Sequence, residues 1–195
     1  MTDLFDEPDD ATPLSPEERV GLLQTWITFR RDLNAAEQAN IAAGSARAWR
    51  ARRHDLLSEA FLKRLHKRLF GDVWAWAGSF RQSERNIGIS PAHIRVETRA
   101  AFDDILFWID HDTFAPDEIA VRLHHRLVAI HPFANGNGRT TRLMADLLAA
   151  RLGQEAFTWG RQDLTDIGET RARYIAALRA ADNHDIGPLV TLAKT

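Results

Sequence analysis

Residues 131–142 read His-Pro-Phe-Ala-Asn-Gly-Asn-Gly-Arg-Thr-Thr-Arg, and this stretch decides the fold around it. Apolar residues follow it at the intervals of one helix face, namely Leu143, Met144, Leu147 and Leu148. The glycine-spaced turn therefore opens a helix of about 137–152, whose first backbone N–H groups have no intrahelical acceptor. Such a helix end favours anions, because the unpaired N–H groups and the helix dipole both attract negative charge.

Two arginines and one histidine accompany this turn. Arg139 and Arg142 lie three residues apart, so they share a helix face and can bind the same polyanion. Positive charge at a helix N-terminus is unfavourable unless an anion is bound there. His131 supplies a base, because the ordinary pKa of imidazole lies near neutrality. Each residue alone also suits a structural role, but together they indicate a nucleotide transferase.

The composition fits one soluble globular domain. The chain has 195 residues, of which 45% are hydrophobic and 27% charged. Its formal net charge of −2 argues against a dedicated nucleic-acid binder, so we expect no direct binding of nucleic acid. No apolar run approaches the roughly 20 residues of a membrane span, and we expect no membrane partner. The absence of cysteine fits a reducing cytoplasm, where we place the protein.

We expect an acidic disordered tail over residues 1–14 and a single domain over residues 15–195. The tail carries five acidic side chains and no basic one, so the rest of the chain has a net charge of +3. Capping residues predict helices that begin near Ser15 and Thr28. Apolar periodicity predicts further helices over about 58–70, 95–112, 116–130, 137–152, 168–182 and 185–193.

Residues 79–94 break the helical pattern. Phe80, Ile87 and Ile89 favour β-structure, and they alternate with the turn residues Asn86, Gly88 and Pro91. This composition predicts a short β-hairpin or an extended flap. The fold class is therefore all-α, with one small β element near the 131–142 turn.

The 131–142 segment resembles the signature of the Fic/Doc family, His-x-Phe-x-Asp/Glu-Gly-Asn-Gly-Arg-x-x-Arg. Seven of its eight fixed positions match: His131, Phe133, Gly136, Asn137, Gly138, Arg139 and Arg142. The Trp76-Ala77-Gly78 turn, the flap after it and the helix that runs into His131 resemble the rest of a Fic core. More narrowly, the chain resembles a bacterial Fic/Doc subgroup labelled mobile mystery protein B.

The resemblance implies a Fic-type helical domain that transfers AMP from ATP to a Ser, Thr or Tyr hydroxyl of a target protein, with Mg²⁺ as cofactor. His131 would then be the general base. The segment Gly136, Asn137 and Gly138 would form the anion hole for the phosphates. Arg139 and Arg142 would hold the β- and γ-phosphates.

Asn135 is the one departure from the signature, since the family usually has a carboxylate at this position. That carboxylate binds Mg²⁺, whereas Asn135 offers only a neutral carbonyl oxygen and a weaker metal contact. Two alternatives therefore stay open beside AMP transfer. The enzyme could transfer another nucleotide or a phosphate group, or the chain could be a nucleotide-binding regulatory module with little or no activity.

The resemblance also implies partners. Ile87, Gly88 and Ile89 of the flap would bind the target protein by β-augmentation. A candidate inhibitory helix lies within residues 28–50, where Glu37 would pair with Arg142. The implied setting is a bacterial toxin–antitoxin pair, with an antitoxin or the chain's own helix as inhibitor. A homodimer is also compatible with this interpretation.

Overall fold

A computed structural model describes residues 19–51, 55–160 and 167–195. These residues form seven α-helices, which confirms the all-α prediction, and their β-pairing is limited to isolated bridges such as Leu22 with Trp74. The helices are α1 (Arg30–Arg50), α2 (Glu59–Phe70), α3 (Ile94–Asp110), α4 (Pro116–Ile130), α5 (Asn137–Arg151), α6 (Ile167–Asp182) and α7 (Gly187–Lys194). The predicted tail and the helix start at Ser15 lie outside the described residues.

Two capping predictions have different outcomes. Ser58 caps α2 as its position suggests, because its hydroxyl accepts the backbone N–H of Phe61 at 3.1 Å. Thr28 does not cap α1, since that helix begins at Arg30 and its N-cap residue is Phe29, without a side-chain cap bond. The start of α1 is therefore held by packing, with Leu33 buried in its first turn.

The core forms where α2, α4 and α5 pack together. Its buried side chains include Leu62, Leu65 and Leu69 of α2, Leu123 and Leu127 of α4, and Met144, Leu147 and Leu148 of α5. A buried leucine of this kind contributes about 2 kcal/mol to folding. A second, smaller cluster joins α6 and α7 to the back of α4 and α5. This packing brings the end of α4 to the start of α5, and residues 131–136 connect them.

The predicted hairpin is an extended loop. Residues 79–90 contain no helix or strand, and a 3₁₀ turn (Pro91–His93) leads into α3. Two of its backbone N–H groups instead find acceptors at the end of α4 and in the connector that follows. Arg81 donates to the carbonyl of Pro132 at 2.9 Å, and Ile89 donates to the carbonyl of Ile130 at 3.3 Å. The flap thus lies against the connector, as a loop and not a hairpin.

Candidate active site

His131 ends α4 in the left-handed conformation, with φ 53° and ψ 61°. Its N–H donates to the carbonyl of Leu127 at 3.1 Å, which closes the last helical turn. The side chain is half-buried, and burial lowers the pKa of His131 below the ordinary 6.5. The guanidiniums of Arg81 and Arg85 lower this pKa further, against the opposing effect of a backbone hydrogen bond at Val128. The imidazole is therefore neutral at pH 7 and able to accept a proton.

The connector after His131 is closed by the side chain of Asn137. Its Oδ1 accepts the N–H of Phe133 at 2.8 Å, and its Nδ2 donates to the carbonyl of the same residue at 2.8 Å. The Phe133 ring is fully buried and anchors the loop in the core. Asn137 thus uses its side chain to shape the loop, and only its backbone faces the predicted anion hole.

Position 136 of the connector has no room for a side chain, so it requires glycine. It has φ +74°, and a Cβ there would lie 2.4 Å from the ring of Phe70. Its carbonyl accepts from both the N–H and the hydroxyl of Thr140, at 3.0 and 2.9 Å. These bonds start α5 directly after the turn, as the sequence predicts.

The predicted anion hole is built from first-turn amides of α5. The N–H groups of Asn137, Gly138 and Arg139 precede the first intrahelical bond, which Thr140 donates to Gly136. Gly136 adds none, because its N–H already donates to Oδ1 of Asn135 at 2.7 Å. The guanidinium of Arg142 lies near the start of α5, since its Nη1 would be 3.7 Å from a Cβ on Gly138. The structure thus brings the Arg142 guanidinium close to the first-turn amides of α5.

Glu37 pairs with Arg139, which corrects the predicted pairing with Arg142. Oε2 of Glu37 lies 3.0 Å from Nη2 of Arg139, and the second oxygen accepts the indole N–H of Trp74 at 2.6 Å. The ring of Phe70 lies 5.1 Å from the Arg139 guanidinium. Arg142 lies one turn further along α5, with its guanidinium 5.7 Å from the ring of Tyr174 on α6.

His66 was not among the predicted site residues. Its Nε2 donates to the carbonyl of Asn135 at 3.0 Å, and its Nδ1 accepts the N–H of Gly78 at 2.9 Å. The ring stacks on Phe133 at 3.8 Å. Burial, as the largest cause, lowers the pKa of His66 to about 4, so the ring is neutral. In the sequence this histidine occupies the apolar face of α2, where a packing role is the ordinary expectation.

The connector of residues 131–136 offers no carboxylate ligand for Mg²⁺. Asn135 is exposed, and its amide oxygen already accepts one hydrogen bond, from Gly136. Among the described residues, no group of three or more His, Asp or Glu side chains converges on a metal position. The residues present therefore do not fit a tightly held resident Mg²⁺, which prefers charged oxygen ligands.

Gly88, one of the flap residues named from the sequence, lies against His131. A Cβ on Gly88, which has φ +88°, would lie 2.4 Å from Cβ of His131, so the flap backbone contacts this histidine. Ile87 is 56% exposed, whereas Ile89 packs against the core. The arrangement places the Gly88 backbone beside a neutral imidazole, with the exposed apolar side chain of Ile87 next to it in the chain.

Comparison with known proteins gives consistent findings. A family model described as "Fic/DOC family" matches residues 56–149. Protein adenylyltransferase fic-1 of Caenorhabditis elegans is 31% identical over 148 residues, which is 72% of this chain and 27% of that protein. Protein adenylyltransferase Fic of Nematostella vectensis is 32% identical over 130 residues, which is 65% of this chain and 29% of that protein. The chain therefore spans less than a third of these curated relatives.

Solved structures share the fold. Fic-1 from C. elegans superposes with a TM-score of 0.64 and 27% identity, over 93% of this chain and 54% of that one. The BepC protein from Bartonella tribocorum, solved with bound AMPPNP, has a TM-score of 0.66 and 18% identity, over 92% and 97% of the two chains. At that identity the second likeness shows the fold alone. No described helix is both long and apolar enough to span a bilayer.

Proposed function

We propose that this chain, which belongs to the Fic/DOC family through residues 56–149, is a protein adenylyltransferase. A hydroxyl oxygen of a target Ser, Thr or Tyr attacks the α-phosphorus of ATP, and the bond to the bridging oxygen of the β-phosphate breaks. The products are an AMP ester of the target and pyrophosphate. One Fic domain over residues 15–195 carries this reaction. The observation that carries the proposal is the neutral His131 beside the first-turn amides of α5.

His131 takes the proton of the attacking hydroxyl. Its lowered pKa supports this role, because a base must be unprotonated to act. The N–H groups of Asn137 and Gly138 and the guanidinium of Arg142 bind the phosphates and stabilise the charge that develops on them. Arg139 joins them once its ion pair with Glu37 opens.

ATP is the nucleotide substrate, and it brings Mg²⁺ on its own phosphates. Asn135 then offers that ion a neutral carbonyl oxygen, so its share in metal binding is weak. Because the chain itself contributes no carboxylate here, we expect the affinity for Mg²⁺ to depend mainly on the nucleotide phosphates. No step of the proposed reaction is assigned to a metal ion held by the protein.

The flap binds the target protein. The exposed side chain of Ile87 and the Gly88 backbone, which contacts His131, support main-chain pairing with an extended target segment. Ile89 would anchor the flap, because its N–H and carbonyl are already bonded to Ile130 and Arg81. Such pairing would fix the target hydroxyl over the imidazole and would give little specificity for the target sequence. An antitoxin, a homodimer, a cytoplasmic location and a bacterial toxin role stay predictions from the family resemblance.

Glu37 restrains the activity. Its carboxylate competes with the nucleotide phosphates for Arg139, since both are anions and the guanidinium lies at the edge of the anion hole. α1 would therefore act as an inhibitory helix within the same chain. The same ion pair, together with the neutral Asn135, favours the second candidate function, which is a nucleotide-binding module with little activity.

Labelled nucleotides test the proposal. The full chain is incubated with ATP labelled at the α- or at the γ-phosphate, in parallel with labelled CTP and UTP, and protein-bound label is measured. Label from the α-phosphate of ATP supports AMP transfer, and its loss in His131→Ala but not in the exposed-histidine control His93→Ala supports the assigned base. Label from the γ-phosphate, CTP or UTP would replace the proposal with another transfer, and binding without label would favour the module.

A further inference from the structure

Arg81, at the start of the flap, is a buried arginine with only 4% of its surface exposed. Arginine keeps its positive charge at all ordinary pH values, and a buried charge is tolerated only where its donors are satisfied. The guanidinium meets this requirement with backbone carbonyls. Nε donates to His131 at 2.7 Å, Nη1 donates to Ser83 at 2.9 Å, and Nη2 donates to Ile89.

These acceptors belong to three separate pieces of the chain. Ser83 lies where the flap leaves the Trp76–Gly78 turn, Ile89 lies where the flap returns, and His131 is the base itself. The backbone N–H of Arg81 adds a fourth bond, to Pro132 at 2.9 Å. One side chain therefore ties both arms of the target-binding loop to the connector.

The bond to His131 has a particular consequence, because His131 is held in the left-handed conformation. A non-glycine residue in that conformation is strained and persists only when its surroundings hold it. The Arg81 Nε–H fixes the direction of the His131 carbonyl. The Gly88 backbone meanwhile covers Cβ of His131, and a Cβ on Gly88 would also lie 3.0 Å from Nη2 of Arg81.

We propose that Arg81 is a positioning residue that holds the target-binding flap and the base His131 as one rigid unit. The expected effect on catalysis rests on the proposed function, whereas the rigid coupling of the flap to His131 does not depend on it. Arg81 does not touch substrate. It acts through the carbonyl of His131 and through the two arms of the flap, so its loss should reduce the rate of transfer and leave nucleotide binding intact.

Substitutions can separate the effect of the positive charge of Arg81 from the effect of its hydrogen-bond geometry. Arg81→Lys keeps a cation but loses the planar fork that reaches three carbonyls. Arg81→Gln loses the charge as well. Arg85→Gln, on the exposed part of the same flap, removes a neighbouring charge that also acts on His131 but leaves the Arg81 bonds in place. If positioning is what matters, Arg81→Lys should resemble Arg81→Gln and not the Arg85 variant.

The first readout is kinetic. We expect Arg81→Gln and Arg81→Lys to lower kcat for self-labelling by at least about tenfold, with the KM for ATP within about twofold of the unsubstituted chain. A fall in ATP affinity equal to the fall in kcat would overturn the positioning role, as would wild-type kcat in both Arg81 variants.

The second readout does not depend on activity. Amide hydrogen exchange should rise by about tenfold or more at residues 81–89 and 130–132 in both Arg81 variants, and stay unchanged in Arg85→Gln. Unchanged exchange in correctly folded Arg81 variants would refute the inference even if the chain transfers nothing.

Gly88→Ala covers the case in which the Arg81 variants fail to fold. Its Cβ separates the flap from His131, so the same local rise in hydrogen exchange is expected. The absence of that rise would count against the inference.

Discussion

The carboxylate of Glu37 on α1 lies 3.0 Å from the guanidinium of Arg139 in the first turn of α5, and both side chains are largely buried. The two residues are 102 positions apart in the chain, so this ion pair links α1 to the first turn of α5. A buried pair of this kind opposes the entry of another anion at the same guanidinium. The first two predictions follow from it.

Glu37→Gly should raise ATP-dependent self-labelling by about tenfold, the effect of about 1.4 kcal/mol, because it frees Arg139 for the phosphates. The measurement is the initial rate of labelling from α-labelled ATP. Ala43→Gly is the matched control, since it puts the same residue at an exposed position of α1 without touching the ion pair. Equal rates in the Glu37 variant and the unsubstituted chain would remove the inhibitory role.

Trp74→Phe should activate the enzyme partly, because the indole N–H that fixes Glu37 at 2.6 Å is lost while the aromatic packing is kept. We expect a rise of about threefold and a loss of about 1 kcal/mol in the free energy of unfolding. Labelling rates of the two single variants and of the Trp74→Phe/Glu37→Gly double variant test this. The double variant should label no faster than Glu37→Gly, and fully additive rates would contradict the coupling. Trp26→Phe is the control, because this indole is 74% exposed and the change leaves the bond from Trp74 to Glu37 in place.

The helices and the active-site turn could be predicted from the sequence because their signals are local. Apolar periodicity marks α4 and α5, and the glycine spacing marks the turn between them. The pairing of Glu37 with Arg139 could not be predicted in the same way, since it depends on how α1 packs against the end of α2. The family resemblance paired Glu37 with Arg142, whereas in the structure its partner is Arg139.

Arg81 and His66 were missed for a related reason. Their role is to bind backbone carbonyls and amides of distant loops, and backbone groups leave no trace in a sequence pattern. The flap was predicted as a short hairpin or an extended segment, because its β-forming residues are interspersed with turn residues. In the structure its N–H groups bond to Ile130 and Pro132 instead. A pattern of residue types gives the propensity of a segment but not the partner of its hydrogen bonds.

Asn135→Asp should make the connector a better site for Mg²⁺ without disturbing the loop. The new carboxylate can still accept the N–H of Gly136 as the amide oxygen does at 2.7 Å, and it adds the negative charge that Mg²⁺ prefers. We expect the Mg²⁺ concentration for half-maximal labelling to fall by about tenfold. The measurement is a Mg²⁺ titration at fixed ATP.

The matched control for this prediction is Asn137→Asp. Asn137 both donates to and accepts from Phe133, and a carboxylate cannot donate to the carbonyl of Phe133. This variant should lose stability by about 1–3 kcal/mol and gain no Mg²⁺ affinity. An equal gain in Mg²⁺ affinity in both variants would show that added charge anywhere in the loop suffices, and would refute the specific role of position 135.

His66 should make the fold sensitive to acid. Its pKa is about 4 in the folded chain and near 6.5 when exposed, so the unfolded chain binds a proton between these values and the folded chain does not. The free energy of unfolding is therefore expected to fall as the pH drops from about 6.5 toward about 4, by about 3 kcal/mol from this residue. His66→Asn should flatten the slope measured by urea unfolding between about pH 7 and pH 5, whereas exposed His93→Asn should not. Identical slopes in both variants would mean that other buried histidines, such as His124, carry the effect.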